Sequence, residues 1–396
     1  MVAALAKIGA TAHRLDGIPV LEVTTDDAAP IVDRDNYVNG DLALPFRGTT
    51  SPTRIRGRGN STWTQPQRPY RVRLDAQASL FRFPSDRDWV LLAHAFDPSG
   101  VRNLFCNRLA RRLNAATGAT TWVPRAAPCR LRLNGSDDGL YLLGEHVKLD
   151  ADRIVGTEAA GASGYGLTGT YSLEIDQRLE ENMETGFRSG LNVPIVLDQP
   201  DGTTPEHLAY IESWFEEFED VLFGASWLDP SVGWRAKVDV PSWVAWAMTN
   251  EIVANNDAVF FSSVKMTKTP DSASGLGRLH LGPPWDFDLS LGNASAPHDP
   301  DELWVFADHS PDPSAVWLTR AMEDPVFASA VSDAWASLMA STDGGQSLLA
   351  EVESFAGRFA GVIRQDRDRW GYSASDASAM VAWLSTRIGW LSAQWL

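Results

Sequence analysis

The sequence predicts an α+β chain of two lobes, strand-rich in its N-terminal part and mostly helical in its C-terminal part. Three observations predict it. Up to about residue 150 the apolar residues fall mainly in short, strand-like runs. From Thr204 onward they recur at helical spacing, as in Leu208, Ile211, Phe215, Phe218 and Leu222. Inside the helical part lies one small predicted hairpin with an acidic loop at each end.

The elements follow in order. Ile18–Val23 reads as the first strand. In Tyr70-Arg71-Val72-Arg73-Leu74 the alternation places Tyr70, Val72 and Leu74 on one face and Arg71 and Arg73 on the other. Asp88–Ala93 reads as a buried strand. A helix over Pro98–Leu113 is entered through Asp97-Pro98-Ser99, with Val101, Leu104, Phe105, Leu109 and Leu113 on its apolar face. Arg108, Arg111 and Arg112 crowd its last turns, where the helix dipole favours cations. Asn134-Gly135 between Cys129–Leu133 and Gly139–Val147 signals a hairpin, because both turn residues tolerate positive φ.

Residues 156–169 are rich in Gly, Ala, Ser and Thr and read as a loop, followed by a strand at Tyr171–Ile175. Thr204 caps a helix that carries Pro205 at its first position. A further helix is predicted over Pro241–Ala254, then strands over Val259–Met266 and Arg278–Leu281. A polar loop runs from Asn293 to Pro313, and the remainder is helical.

Composition narrows the function classes. The net charge of -17 argues against general nucleic-acid binding. No run approaches the ~20 apolar residues of a membrane helix, so no membrane span is expected. Met1–Ala10 is apolar but lacks the basic flank of a secretion signal. Two cysteines, Cys106 and Cys129, exclude a disulfide-rich scaffold and read as buried thiols, with one disulfide the alternative for an exported chain. Most of the 16 tryptophans fall in apolar helical patterns and read as core, Trp243 and Trp246 among them.

Two features carry chemistry. The first is Asn255-Asn256-Asp257, tied by the predicted hairpin to Trp285-Asp286-Phe287-Asp288. Closing the hairpin brings Asp257 and Asp286 together, the arrangement that phosphoryl transfer needs for one acid on the attacking hydroxyl and one on a metal. Local turn chemistry also gathers Asp and Asn, and that reading wins if this feature stands alone. The second feature is a basic segment in an acidic chain. From Arg54 to Arg73 inclusive stand six arginines and no acid. Its Arg56-Gly57-Arg58-Gly59-Asn60-Ser61-Thr62 predicts an anion site, with glycines admitting backbone N–H groups and arginines supplying charged donors. A solvated edge strand is the competing reading.

Five ordered blocks resemble the CotH (spore coat protein H) kinase family of atypical protein kinases. They are Ile55–Trp63 with Pro69-Tyr70-Arg71; Asp88–Ala93 with Asp97-Pro98-Ser99 and Arg102-Asn103; Asn134-Gly135 through Gly139–Val147; Asn250-Glu251 through Asn256-Asp257; and Trp285–Asp288 with Leu291-Gly292-Asn293. The resemblance implies a two-lobed, atypical protein-kinase-like fold. A nucleotide-binding N-lobe would span residues 1–150, a C-lobe with catalytic and metal loops 151–300, and a helical extension 301–396.

It further implies ATP as donor, Mg²⁺ (with Mn²⁺ as an alternative), and a protein partner bearing Ser/Thr acceptors. Asp257 takes the role of catalytic acid, and Asp286 that of metal ligand, with Asp288 a second ligand or a structural acid. Arg56, Arg58 and Arg73 would clamp phosphates, Tyr141 would lie against adenine, and Glu145 would bind nucleotide or brace the lobes, or else be an exposed strand-end residue. The family usually has Lys where Arg73 stands, and the two are not interchangeable at close quarters; Lys148 is a substitute on another strand. An extracellular, envelope or spore-coat setting is also implied. Two other function classes remain beside the kinase. One is transfer of a different group from ATP, such as adenylylation or ligation. The other is a non-catalytic pseudokinase or surface-binding module.

Overall fold

The structure is a computed structural model that describes residues 14–15, 17–273, 275–294, 299–307, 315–373 and 377–396. The expectation for Met1–Ala10 and much of the loop to Pro313 lie outside the described residues. The chain divides into two compact units, one of residues 1–104, 125–146 and 353–377, the other of 105–124, 147–352 and 378–396. The boundaries expected at 150 and 300 differ from these, because residues 105–124 group with the second unit and 353–377 with the first.

The first unit is built on strands β1 (Arg14–Leu15), β2 (Ile18–Thr25), β3 (Val38–Leu44), β4 (Thr49–Gly57), β5 (Tyr70–Ala78), β6 (Asp86–Leu92), β7 (Ala126–Leu133) and β8 (Ser136–Glu145). They pair in the order β1-β2-β3-β4-β5-β6-β8-β7. A parallel pairing of β2 with β7, Val20↔Arg130 to Val23↔Leu133, closes seven of them into a barrel. Its core holds Leu21, Val23, Leu42, Ile55, Tyr70, Val72, Leu74, Trp89, Leu91, Leu131, Tyr141 and Leu143. Fully burying one such Val or Leu contributes about 1.5–3 kcal/mol. Asn134 and Gly135 form the β7–β8 turn with φ of 52° and 77°, as the Asn-Gly signal requires.

The helix expected from Pro98 starts at Arg102. Gly100 takes φ +63°, a left-handed conformation that no helix continues through. The Asp97 carboxylate accepts from the backbone of Ser99 and Arg102 and from the Arg102 guanidinium, and so closes the turn before the helix. Both cysteines are buried and neither forms a disulfide.

The second unit contains strands β9 (Tyr171–Ile175), β10 (Gly186–Arg188), β11 (Pro194–Gln199), β12 (Val264–Lys268) and β13 (Leu279–Leu281). They form an antiparallel sheet in the order β10-β11-β9-β12-β13. The helix Pro205–Phe223 starts at a reciprocal cap between Thr204 and His207. The helix Val240–Val253 is buried from Ser242 to Val253, so it carries no polar stripe. Trp214, Phe215, Phe218, Trp234, Trp243, Phe260 and Trp317 pack on one another with ring centroids mostly 5–6 Å apart. The tryptophans expected in the core at 243 and 246 are there.

Candidate functional site

The helix Val240–Val253 stops because Ala254 takes a left-handed φ of 43°, and its N–H turns back onto the carbonyls of Asn250 and Glu251. The chain then makes a single 3-10 turn, Asn256–Ala258, which carries Asp257. The expected strand over Val259–Met266 begins only at Val264. Phe260 and Ser263 have φ of 64° and 61°, which breaks extended pairing between them. β12 and β13 then pair antiparallel, Met266↔Leu281, and deliver the chain to Asp286.

The two acidic loops are bonded together. Asn256 N–H donates to the Leu289 carbonyl at 3.3 Å, Leu291 N–H to the Val253 carbonyl at 2.7 Å, and Asn255 Nδ2 to the Asp286 carbonyl at 3.1 Å. The Ser263 hydroxyl donates to Asp286 Oδ2 at 3.4 Å. Asp286 has φ 58°, a conformation that Asp tolerates better than most residues. Burial first, and then the neighbouring Asp286 charge, raise the Asp257 carboxyl from 3.8 to about 7. The Arg178 charge and a Ser262 hydrogen bond oppose that shift. Asp288 is buried, at 8% exposed.

A buried ion pair braces these loops from behind. Arg387 and Glu251 are both fully buried, with Nη2 2.6 Å from Oε1. Glu251 also accepts from Trp304 N at 2.8 Å and Phe306 N at 3.0 Å, and the Trp304 indole donates to the Asn255 carbonyl at 2.7 Å.

In the first unit, β4 and β5 pair with Arg54 opposite Arg73 and Arg56 opposite Arg71. Four guanidinium groups therefore share one face, with the Ile55–Val72 core pair on the other. Tyr37 lies under Arg54 and Arg56, with guanidinium-to-ring distances of 5.6 and 5.1 Å. Asp88, on the next strand, is 3.4 Å from Arg71 and 3.7 Å from Arg73. Like charges directly opposite in a ladder cost stability, so this array suits an anion.

Sequence reasoning counted Arg54 and Arg71 in the basic segment but assigned only Arg56, Arg58 and Arg73 to phosphates. The signal was the alternation Thr53-Arg54-Ile55-Arg56 facing Arg71-Val72-Arg73 across a closing hairpin.

Three expectations need correction. Gly57 does not offer its N–H to a ligand, because that group donates to the Asp33 carbonyl at 2.9 Å. Arg58 N–H is likewise spent on the Pro69 carbonyl at 3.1 Å. Gly57 is required instead by packing, since a Cβ there would lie 2.4 Å from the Trp63 ring.

Tyr141 has no ring face open to an adenine. It is 0% exposed in the barrel core, 6.0 Å from the Tyr70 ring, and its hydroxyl lies 2.8 Å from Asp138 Oδ2. Glu145 is not an exposed strand-end residue. It is 1% exposed and accepts from Arg125 N–H at 2.8 Å and from the Arg125 guanidinium at 2.7 Å. Lys148, the substitute for a phosphate-binding lysine, lies 3.7 Å from Asp150.

Among the described residues no group of three or more His, Cys, Asp or Glu is arranged to hold a metal ion. Mg²⁺ in nucleotide sites typically takes one or two carboxylates and completes its shell with phosphates and water. Asp286 with Asp288 fits that sparse donor set, and the repulsion between Asp286 and Asp257 favours a cation beside them. No helix of the described residues is long and apolar enough to cross a membrane.

No curated protein matches this sequence. A family model described as CotH kinase protein matches residues 55–391. That match takes in Arg56, Arg71 and Arg73, both acidic loops and nearly all of the helices that follow them, and the chain belongs to the CotH kinase family.

Proposed function

We propose that this chain is an ATP- and Mg²⁺-dependent protein kinase that transfers the γ-phosphate to Ser/Thr hydroxyls. Family membership supports a kinase-like phosphotransferase. The observation that carries the finer reading is the bonded pair of loops that sets the raised carboxyl of Asp257 beside Asp286.

Asp257 is the base in this reading. A general base works best with its pKa near the operating pH, and burial beside a second carboxylate moves Asp257 there from the ordinary value of 3.8. It takes the proton of the acceptor hydroxyl as that oxygen bonds to the γ-phosphorus and the bond to the ADP oxygen breaks. Asp286, with Asp288 as second ligand or structural acid, holds the metal. Bound Mg²⁺ supplies positive charge against the phosphate oxygens. Arg56, Arg58 and Arg73 are assigned to phosphate recognition, and Arg54 and Arg71 join them by register.

The test is incubation with Mg²⁺ and either γ- or α-labelled ATP, using dephosphorylated casein and the protein itself as acceptors. Label from γ-ATP alone supports phosphoryl transfer. Label from α-ATP identifies adenylyl transfer, and label from neither, with no nucleotide binding, identifies a non-catalytic module.

A further inference from the structure

The chain that follows the acidic loops reaches back onto them, and its contacts converge on Asn255. Arg387, on the helix Ala377–Trp395, is buried. Its Nη2 donates to the Glu251 carbonyl at 2.7 Å as well as to the Glu251 carboxylate. Its Nη1 donates to the carbonyls of Pro300 and Glu302. One guanidinium thus fastens residues 299–307 to the last turn of the helix Val240–Val253, where the dipole favours a cation. The Glu251 carboxylate holds the same segment through the backbone N–H groups of Trp304 and Phe306, and Val305 between them is buried.

The clamp fixes the backbone that carries the Trp304 side chain. From there the indole N–H donates to the Asn255 carbonyl at 2.7 Å. Asn255 is 2% exposed, and a buried carbonyl needs a donor. Its own N–H donates to the Asn250 carbonyl at 3.1 Å, and Nδ2 bridges Asn250 and the Asp286 carbonyl. Asn256 and Asp257 follow at once. The residue that joins the two acidic loops is therefore gripped on its far side by a residue from the extension.

We propose that Trp304 is a positioning residue for phosphoryl transfer. Clamped by Glu251 and Arg387, its indole fixes Asn255 and with it the register of the Asp257 turn against the Asp286 loop. The catalytic part of this rests on the kinase reading above. It gives residues 299–307 and the last helix a share in catalysis that a mere extension lacks. A reacting group misplaced by about 1 Å costs on the order of 10²-fold in rate. A plain core contact would instead lower stability and leave the rate alone.

The experiment compares wild type, Trp304→Phe and Trp335→Phe, each checked by circular dichroism and thermal unfolding. Trp304→Phe keeps an aromatic ring and removes the donor; Trp304→Leu, which lacks the same donor, replaces it if it folds poorly. Trp335 is buried, and its indole N–H has no hydrogen-bond partner among the described residues, so Trp335→Phe is the control for lost packing alone. Two quantities are read. One is γ-phosphate transfer to dephosphorylated casein, with kcat and KM for Mg·ATP separated. The other is amide hydrogen exchange of the ligand-free protein over the peptides that hold Asn256 and Leu291, whose N–H groups tie the loops together. Trp304→Phe should speed that exchange about 10-fold, the worth of roughly one hydrogen bond. It should lower kcat by about 10- to 100-fold with KM little changed. Trp335→Phe should lower the unfolding temperature and leave both readings at wild type. Wild-type exchange and kcat in a folded Trp304→Phe protein overturn the proposal, as does a loss of kcat that Trp335→Phe shares. A wild type that binds Mg·ATP but transfers no γ-phosphate overturns the kinase reading and the catalytic role of Trp304, while faster exchange in Trp304→Phe still supports the loop coupling.

Discussion

Asn255 donates from Nδ2 to the Asp286 carbonyl at 3.1 Å and to Asn250 Oδ1 at 3.0 Å. Asn250 in turn spends its own amide hydrogen on the Trp246 carbonyl at 2.9 Å, which fixes the orientation of both side chains. The two acidic loops therefore meet through a committed donor. Asn255→Ala should destabilise the protein by about 1–3 kcal/mol, because it leaves buried acceptors unpaired. Asn255→Asp, at pH 8, should cost at least as much, since it sets an anion against two acceptors. Denaturant midpoints measure both; variants as stable as wild type would show that the loops are held elsewhere.

The arginine array predicts opposite effects on stability and binding. Arg54→Ala relieves a directly opposed like-charge pair, so the ligand-free protein should be no less stable, whereas Arg73→Ala also gives up the ion pair with buried Asp88. ATP should nevertheless bind about 10- to 100-fold more weakly, from the loss of one charged hydrogen bond of about 1.5–3 kcal/mol. Adenosine affinity should hold. Calorimetric titration with both ligands checks this, and equal losses for the two would assign the arginines to the fold. Arg73→Lys tests the departure from the usual lysine: preserved or higher turnover marks a tolerated replacement, and lower turnover an altered chemistry.

Tyr141 should behave as a core residue. Tyr141→Phe removes the hydroxyl beside Asp138 and should cost about 1–3 kcal/mol. Tyr141→Ala should cost about 3–5 kcal/mol, as for other large aromatics. Nucleotide affinity of the folded Tyr141→Phe protein should match wild type. Full stability in Tyr141→Ala with weaker adenosine binding would restore the adenine contact.

Asp366 predicts a pH dependence of stability. Its carboxylate accepts from Leu140 N–H at 2.6 Å and is 3% exposed, and burial is the main cause that raises it from 3.8 to about 6. Between those values the folded protein keeps a proton that the unfolded chain has released. The contribution is thus fully present below about pH 4 and lost as pH rises through 6. It is on the order of 3 kcal/mol. Asp366→Asn should remove this part of the pH profile, so wild-type and variant stabilities should converge or cross between pH 8 and pH 4. A constant difference between them would show that Asp366 does not titrate in that range.

The sequence made the ladder legible and the local exceptions illegible. Alternation in Tyr70–Leu74 set the core face of β5 correctly, because one face of that strand is apolar and the other charged. Leu140-Tyr141-Leu142-Leu143 offers no such contrast. All four are buried, so period two does not say which lie inside the barrel, and Tyr141 was placed on a ligand. The run Val259–Ser263 looked extended because its residues are apolar and β-prone. Phe260 is instead drawn into the aromatic cluster beside Trp317, 5.1 Å away, and takes positive φ to reach it. The pairing of the Asp257 and Asp286 loops was readable because a hairpin must return its ends to one place.

The most direct test of the account is the contrast between Asp257→Asn and Asp286→Ala. For each folded variant, Mg·ATP affinity is measured by calorimetry and γ-phosphate transfer by label. Asp257→Asn keeps the shape of the side chain but not a usable base. It should retain Mg·ATP binding and lose transfer by on the order of 10²–10⁴-fold. Asp286→Ala should lose Mg²⁺-dependent binding and transfer together. A fully active Asp257→Asn protein would contradict the account, because Asp257 would then be a turn residue and not the base.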